Sequence, residues 1–198
     1  MKGKGPIEDA VKVIASMPGF GEKSASRLVY WLLGQGKDSL LPLISSLQEL
    51  ASKIKICALC GNFSMSDPCE ICSDPARDSS VLMVVADGKD VTSIEKTRSY
   101  KGKYFLLGGL LSPRLGIGPE SLHIAEFLKR LKSELIKEVI IALSSSQEGE
   151  ATSQWLVQQM AGIDVKITRL ARGLPVATSI EYLDAESLKL AIEGRKEF

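Results

Sequence analysis

The chain has 198 residues, 44% of them hydrophobic and 25% charged, with 25 Lys+Arg against 24 Asp+Glu for a net charge of +1. That is enough for one ordinary domain or two small ones with a real core, and it excludes disordered, collagen-like and polyanionic proteins. The longest wholly apolar runs, such as Val81–Ala86, fall far short of the roughly 20 residues of a membrane helix, and the opening MKGKGPIEDA has lysines with no apolar stretch behind them, so a soluble, intracellular protein is expected.

Residues 1–56 carry 8 basic and 5 acidic groups and read as all-helical. Ile7, Ala10, Val11 and Ile14 form one helical stripe, and Ala25, Leu28, Val29 and Leu32 form a second. A third helix is expected from Pro42, a residue tolerated in a first turn, through Leu43, Leu47, Leu50 and Ile54. Between the first two lies Met17-Pro18-Gly19-Phe20-Gly21. Gly19 and Gly21 allow a sharp turn and close approach of a ligand. The N–H groups and dipole at the start of the second helix then make a phosphate site. Lys23 and Arg27, four apart, share a face and could grip two phosphates without reading sequence. The stretch PGFGEKSASRL resembles the helix-hairpin-helix motif of DNA-repair proteins; the bland alternative is an ordinary helical hairpin with a solvated basic face.

Residues 57–80 are acidic, with 1 basic and 4 acidic groups, and hold every cysteine of the chain. Cys57-Ala-Leu-Cys60 and Cys69-Glu-Ile-Cys72 are two CxxC knuckles whose four thiolates can converge on one tetrahedral zinc ion. Gly61 suits the tight turn after the first knuckle. A pair of disulfides fits a reducing compartment poorly, and a redox CxxC would not need two copies. Four protein ligands leave no open position, so the zinc is expected to be structural, supplying folding energy that so short a segment lacks.

From residue 81 the pattern alternates strand and helix, which argues for a parallel α/β sheet. Val81–Ala86, Tyr104–Leu107 and Val139–Leu143 read as buried strands and Val165–Thr168 as an edge strand. Helices are expected near 90–98, 120–135 and 150–161, the middle one starting at Gly118-Pro119 and carrying Ile124, Leu128, Leu131 and Leu135. A short helix is expected from Asp184 to Glu193. Loops after the strands should gather at one edge of the sheet: Ala86-Asp87-Gly88, the Gly/Pro-rich stretch 108–119, and Ser144 to Thr152. Asp87, Glu148 and Glu150 could converge there on magnesium, or the two glutamates could simply favour the start of the following helix. His123, the only histidine, suits a surface or packing role. Trp31 and Trp155 suit core or subunit contacts. Lys129, Arg130 and Lys132 read as a solvated helix face. No P-loop sequence is present, which speaks against an ATPase.

The order of these parts resembles the RecR family of bacterial recombination mediators over the whole chain. The likeness is carried by PGFGEKSASRL, CALC, CEICSDPAR, IEKTRSYKGKYFLLGGLLSP, GIGP, EGEAT, RGLPVATSIEYLD and EGR. It implies a multidomain α and α/β fold: a helix-hairpin-helix domain at 1–56, a four-cysteine zinc finger at 57–80, a Toprim-type α/β domain with a mostly parallel sheet at 81–171, and a C-terminal oligomerisation segment at 172–198. It implies a non-catalytic, cytoplasmic and nucleoid-associated protein that binds single- and double-stranded DNA without sequence preference. As a ring-like homo-oligomer, typically a tetramer, such a protein works with RecO and RecF to load RecA onto gapped single-stranded DNA. Gly19, Gly21, Lys23 and Arg27 would line the DNA-facing part, and the acidic loop would meet RecO. One departure stands out. Ala86 occupies the position where Toprim enzymes carry a glutamate, and Ser144 stands where an asparagine is usual. This weakens the competing reading, a magnesium-dependent Toprim nuclease or primase-type phosphoryl transferase. A third reading is a protein-interaction scaffold whose hairpin has lost DNA binding.

Overall fold

The computed structural model describes residues 5–171 and 179–195, apart from the side chains of Lys37 and Glu186. The chain divides into two compact units, residues 1–54 and residues 55–198.

The first unit holds α1 (Pro6–Ala15), α2 (Glu22–Gly34) and α3 (Lys37–Lys53). Helix α1 starts on Pro6, whose fixed φ and missing N–H suit a first turn. Helix α3 begins five residues before the expected Pro42, which lies inside it. Gly36, in the left-handed region at φ 82°, reverses the chain before Lys37. Pro42 forgoes one ladder bond near the start of a 17-residue helix that continues past it. Among the described residues of this unit, only Ala25 and Val29 are buried. Val13, Tyr30, Leu41, Leu47 and Leu50 are exposed, and Trp31 is 58% exposed. Trp31 is therefore not a core residue of this chain.

The second unit opens with an antiparallel ribbon, β1 (Lys55–Ile56) against β2 (Phe63–Ser64), and a single helical turn, α4 (Glu70–Ser73). Then follow β3 (Asp78–Val85), α5 (Gly88–Thr97), β4 (Gly102–Leu106), α6 (Ile124–Ser133), β5 (Glu138–Ile141), α7 (Gln147–Gln159), β6 (Lys166–Arg169) and α8 (Ala185–Glu193). The sheet order is β4-β3-β5-β6, with every neighbouring pair parallel. Successive side chains of β3 serve opposite faces. Leu82 and Val84 join Phe105, Phe127, Leu131, Val139, Ile141 and Leu156 on one, while Met83 and Val85 join Val91, Tyr104 and Leu106 on the other. Burial on both faces is why these strands read as unbroken apolar runs. The chain leaves β3 for β4 on one side and returns to β5 on the other, so the switch point lies between β3 and β5, where open α/β sheets place their crevice.

Two expected boundaries shift. Gly118-Pro119 opens a separate 3-10 turn, Pro119–Ser121, and α6 starts only at Ile124. The chain turns extended at Glu134, leaving Leu135 beyond the helix and 92% exposed. In the stretch 108–119, Ser112 and Ile117 exchange both backbone hydrogen bonds at 3.0 Å around the 3-10 turn Pro113–Leu115, so this segment is ordered despite its glycines. The helix expected at 184–193 is α8, with Asp184 as its N-cap accepting from the Ser187 N–H at 2.8 Å. Residues 172–178, which include the RGLPVAT part of the C-terminal motif, and residues 196–198 lie outside the described residues.

Candidate functional site

The hairpin between α1 and α2 is built by Gly19 and Ser24. Gly19 takes φ 84°, a left-handed conformation that a side chain would strain. Gly21 sits at φ −103°, which any residue adopts, and a Cβ there would meet nothing within 4 Å. Its bareness therefore matters only to something approaching from outside. Ser24 Oγ accepts from the Gly21 N–H at 3.0 Å and donates to the Gly21 carbonyl at 2.9 Å, closing the start of α2. Ala25 and Val29 point inward, so Lys23 and Arg27, two positions earlier on the helix, project outward. Both are exposed, and neither makes an ion pair among the described residues.

The four cysteines do converge. Among the described residues, Cys57, Cys60, Cys69 and Cys72 are the one group of three or more metal-capable side chains whose ligand atoms all lie within 4.8 Å of one another. None forms a disulfide. Cys60 Sγ and Cys69 Sγ are 3.6 Å apart, close to the roughly 3.8 Å edge of a tetrahedron with zinc–sulfur bonds of about 2.3 Å. Backbone N–H groups already point at sulfur, from Cys69 to Cys57 Sγ at 3.3 Å and from Cys72 to Cys69 Sγ at 3.4 Å. Such bonds favour thiolates. The Cys60 thiol is pulled down to about 5, chiefly by its hydrogen bond with Cys72, whose own thiol is pushed up by the same bond. Burial pushes the Cys69 thiol up to about 11. A metal would replace the shared protons with one central charge. The donor set fits zinc, held by Cys57, Cys60, Cys69 and Cys72 in a closed site with no position for a substrate.

The cysteine knuckles are tied to the sheet by cations. Arg130, expected on a solvated face, is only 9% exposed. It lies three residues after Phe127 on the apolar side of α6, and its Nη1 donates to the carbonyls of Leu59 and Tyr104 at 3.0 and 3.1 Å. Its Nε pairs with Glu134 at 3.0 Å. Lys103 is 6% exposed and donates from Nζ to the carbonyls of Ile71, Cys72 and Asp74. The Leu106 N–H bonds the Cys60 carbonyl at 2.8 Å. Nearby, Arg77 forks onto Glu95, which also accepts from the Tyr104 hydroxyl at 2.6 Å. The Arg77 hydrogen bond holds the Glu95 carboxyl below its usual value, against the upward push of burial. His123 meets the same region through Nδ1, 3.2 Å from the Leu106 carbonyl, and packs against Gly108 and Gly61.

Of the two readings of the acidic corner, the carboxylates stand as the helix-start reading has them. Asp87 is the N-cap of α5 and accepts from the N–H groups of Lys89 and Asp90, while Asp90 accepts from Ala86 and Asp87. The expected loop from Ser144 to Thr152 ends at Ser146, because α7 begins at Gln147 with Ser146 capping it. Glu148 and Glu150 thus lie in a first helical turn, where acidic side chains suit the dipole. Glu150 lies 3.6 Å from Arg169. The three carboxylates are not brought into one metal-capable group. Two residues of EGEAT that sequence reasoning passed over organise this corner. Gly149 lies so close to Ser144 that a Cβ would fall 2.0 Å from its carbonyl oxygen. Thr152, fully buried, accepts from the Leu111 N–H at 2.9 Å and donates to the Glu148 carbonyl at 2.6 Å.

Residues 54–74 match the four-cysteine zinc finger domain of RecR, and residues 80–171 match the Toprim domain. Proteins named recombination protein RecR are similar over nearly their whole length. That of Bifidobacterium longum subsp. infantis is 44% identical, covering 98% of this chain and 96% of its own. Those of Acidothermus cellulolyticus and Gloeobacter violaceus are 43% and 42% identical, each with 98% of its own length covered. A zinc finger and an α/β sheet joined in this order, with full-length identity at this level, make the chain a member of the RecR family of recombination proteins.

Proposed function

We propose that this chain is a mediator of recombinational repair that holds DNA without sequence preference and performs no chemistry on it. The observation that carries this reading is the pair Lys23 and Arg27, exposed and without ion pairs among the described residues, one helical turn apart behind the Gly19–Gly21 hairpin. Two unspent cations beside a helix start suit the phosphate backbone, single- or double-stranded. The mediator acts as a ring-like homo-oligomer, typically a tetramer, with RecO and RecF, and promotes RecA loading on gapped single strands in the cytoplasm at the nucleoid. Support for self-association comes from the apolar side chains that residues 1–54 leave exposed, Trp31 among them. A second copy would cover such a surface, and the segment 172–198 supplies a further junction. Zinc at Cys57, Cys60, Cys69 and Cys72 is structural. Asp87, Glu148 and Glu150 meet RecO rather than magnesium, because Asp87 is spent on capping α5 and Ala86 offers no carboxylate.

The test is DNA binding of the zinc-loaded protein at rising salt, beside the Lys23→Ala/Arg27→Ala variant, with a magnesium lane to check the DNA for cleavage. Wild type should bind with a steep salt dependence and leave the DNA intact. The variant should lose about 0.7–0.9 from the log–log salt slope for each phosphate contact removed. Equal binding by both proteins overturns the hairpin assignment. Cleavage that disappears on substituting Asp87 or Glu148 would make the protein an enzyme.

A further inference from the structure

Lys103 is a lysine buried in the interior of the second unit, 6% exposed on the strand β4. Its Nζ lies 2.9, 3.0 and 2.7 Å from the carbonyl oxygens of Ile71, Cys72 and Asp74. Three acceptors use all three protons of an ammonium. Hydrogen bonds to carbonyls do not cancel its charge, however, and no carboxylate pairs with it among the described residues. The acidic groups nearby are committed elsewhere: Asp74 to Arg77 and the Ala76 N–H, Glu95 to Arg77 and Tyr104. A buried cation without an opposite charge is costly to keep.

The missing charge lies next door. Four thiolates around a dipositive ion leave two negative charges over, in a site that is itself largely buried. One carbonyl that Lys103 holds belongs to Cys72, a ligand, and another to Ile71, its neighbour in the second knuckle. We propose that Lys103 is the internal counter-charge of the four-cysteine centre and sets how tightly these thiolates hold their metal. The inference rests on zinc occupying the cluster. The lysine touches no sulfur in its own right; it is a positioning residue that acts through the knuckle backbone and through its charge.

The experiment measures zinc affinity by competition with a chromophoric chelator, together with urea unfolding of the zinc-loaded and metal-free forms. Wild type is compared with Lys103→Met, Lys103→Gln and Lys103→Arg. Methionine removes charge and donors, glutamine keeps a donor without charge, and arginine keeps both. Zinc affinity should fall about 10- to 100-fold in the methionine and glutamine variants and stay within about threefold of wild type in the arginine variant. The neutral variants should lose less stability metal-free than zinc-loaded, because the three carbonyls lose their donor in both forms while the counter-charge is missed only with zinc bound. Equal zinc affinity in all four proteins overturns the proposal. So does an equal loss of stability with and without zinc, which would mark Lys103 as a plain structural tie. If the methionine variant does not fold, the glutamine and arginine pair carries the comparison. Failure of wild type to bind one zinc per chain would instead remove the zinc reading itself.

Discussion

Replacing Thr152 by valine isolates one buried hydroxyl at nearly constant volume. In the wild type that hydroxyl accepts from the Leu111 N–H at 2.9 Å and donates to the Glu148 carbonyl at 2.6 Å. Glu148 lies inside α7, so its carbonyl keeps the helix's own ladder partner when the hydroxyl is lost. The Leu111 N–H has no such reserve: its partner is the threonine, and the residue is half-buried against the core. Leaving a buried donor unsatisfied costs about 1–3 kcal/mol, and that cost should dominate. Thr152→Ser keeps the hydroxyl and gives up one buried methyl, about 1 kcal/mol. Unfolding by urea can be followed through Trp155, which packs against the sheet core on α7, in a Trp31→Phe background that silences the first unit. The valine variant should be destabilised by about 1–3 kcal/mol and the Leu111 amide should lose exchange protection. A valine variant within about 0.5 kcal/mol of wild type, or a serine variant that is worse than the valine, would refute the reasoning.

Gly149→Ala should destabilise the same unit by about 1–3 kcal/mol, because the clash with the Ser144 carbonyl at 2.0 Å outweighs the roughly 1 kcal/mol that alanine gains over glycine in a helix; the same urea assay reads it. The folded pKa of Glu95 lies below the 4.5 of a free glutamate, so its contribution is complete above that value and drains away as pH falls through the folded pKa. Urea midpoints should therefore drop in acid below pH 4.5, and Glu95→Gln should start lower and respond less. Stripping zinc with a chelator should speed exchange of the Leu106 amide, which bonds the Cys60 carbonyl, by about tenfold or more relative to Ala142, which bonds Val84 within the sheet.

Periodicity carried the architecture because it reports burial. Met83 and Val84 serve opposite faces of a covered sheet, and no polar residue interrupts the run they belong to. The cysteine spacing likewise pointed to the convergence found in the structure, since two CxxC knuckles place four soft ligands where they can share one tetrahedral ion. What failed were positions where a tertiary partner overrides the local signal. Arg130 looks solvated beside Lys129 and Lys132, yet it stands on the same side of α6 as Phe127, and carbonyls from Leu59 and Tyr104 take its charge inward. Its place three residues after Phe127 was the one available hint. Pro42 suggested a helix start, but the turn was already made by Gly36. Glu148 and Glu150 drew attention as carboxylates, while the residues that hold the corner together are the glycine and threonine of the same motif. Nothing in a linear pattern says that Gly149 faces a carbonyl from the preceding loop.

An ionisable side chain can serve a ligand only to the extent that folding has not already used it. Within the second unit, most charges that the motifs single out are used. Arg77 and Glu95 hold each other, Asp87 and Asp90 cap one helix reciprocally, Arg130 and Lys103 bind knuckle carbonyls, and Glu150 stands beside Arg169. The zinc knuckles and the sheet are therefore one cooperative structure rather than a finger appended to a domain. Glu148 is the exception among the acidic candidates: its carboxylate makes no ion pair among the described residues, and alone it is too weak a donor set for a divalent cation. In the first unit the balance reverses. The hairpin's shape is made by Gly19 and Ser24, while Lys23 and Arg27 are exposed and make no ion pair among the described residues. An exposed pair of cations of this kind is the better candidate for binding something outside the fold, which is why the salt dependence of DNA binding bears on function more directly than any substitution among the carboxylates.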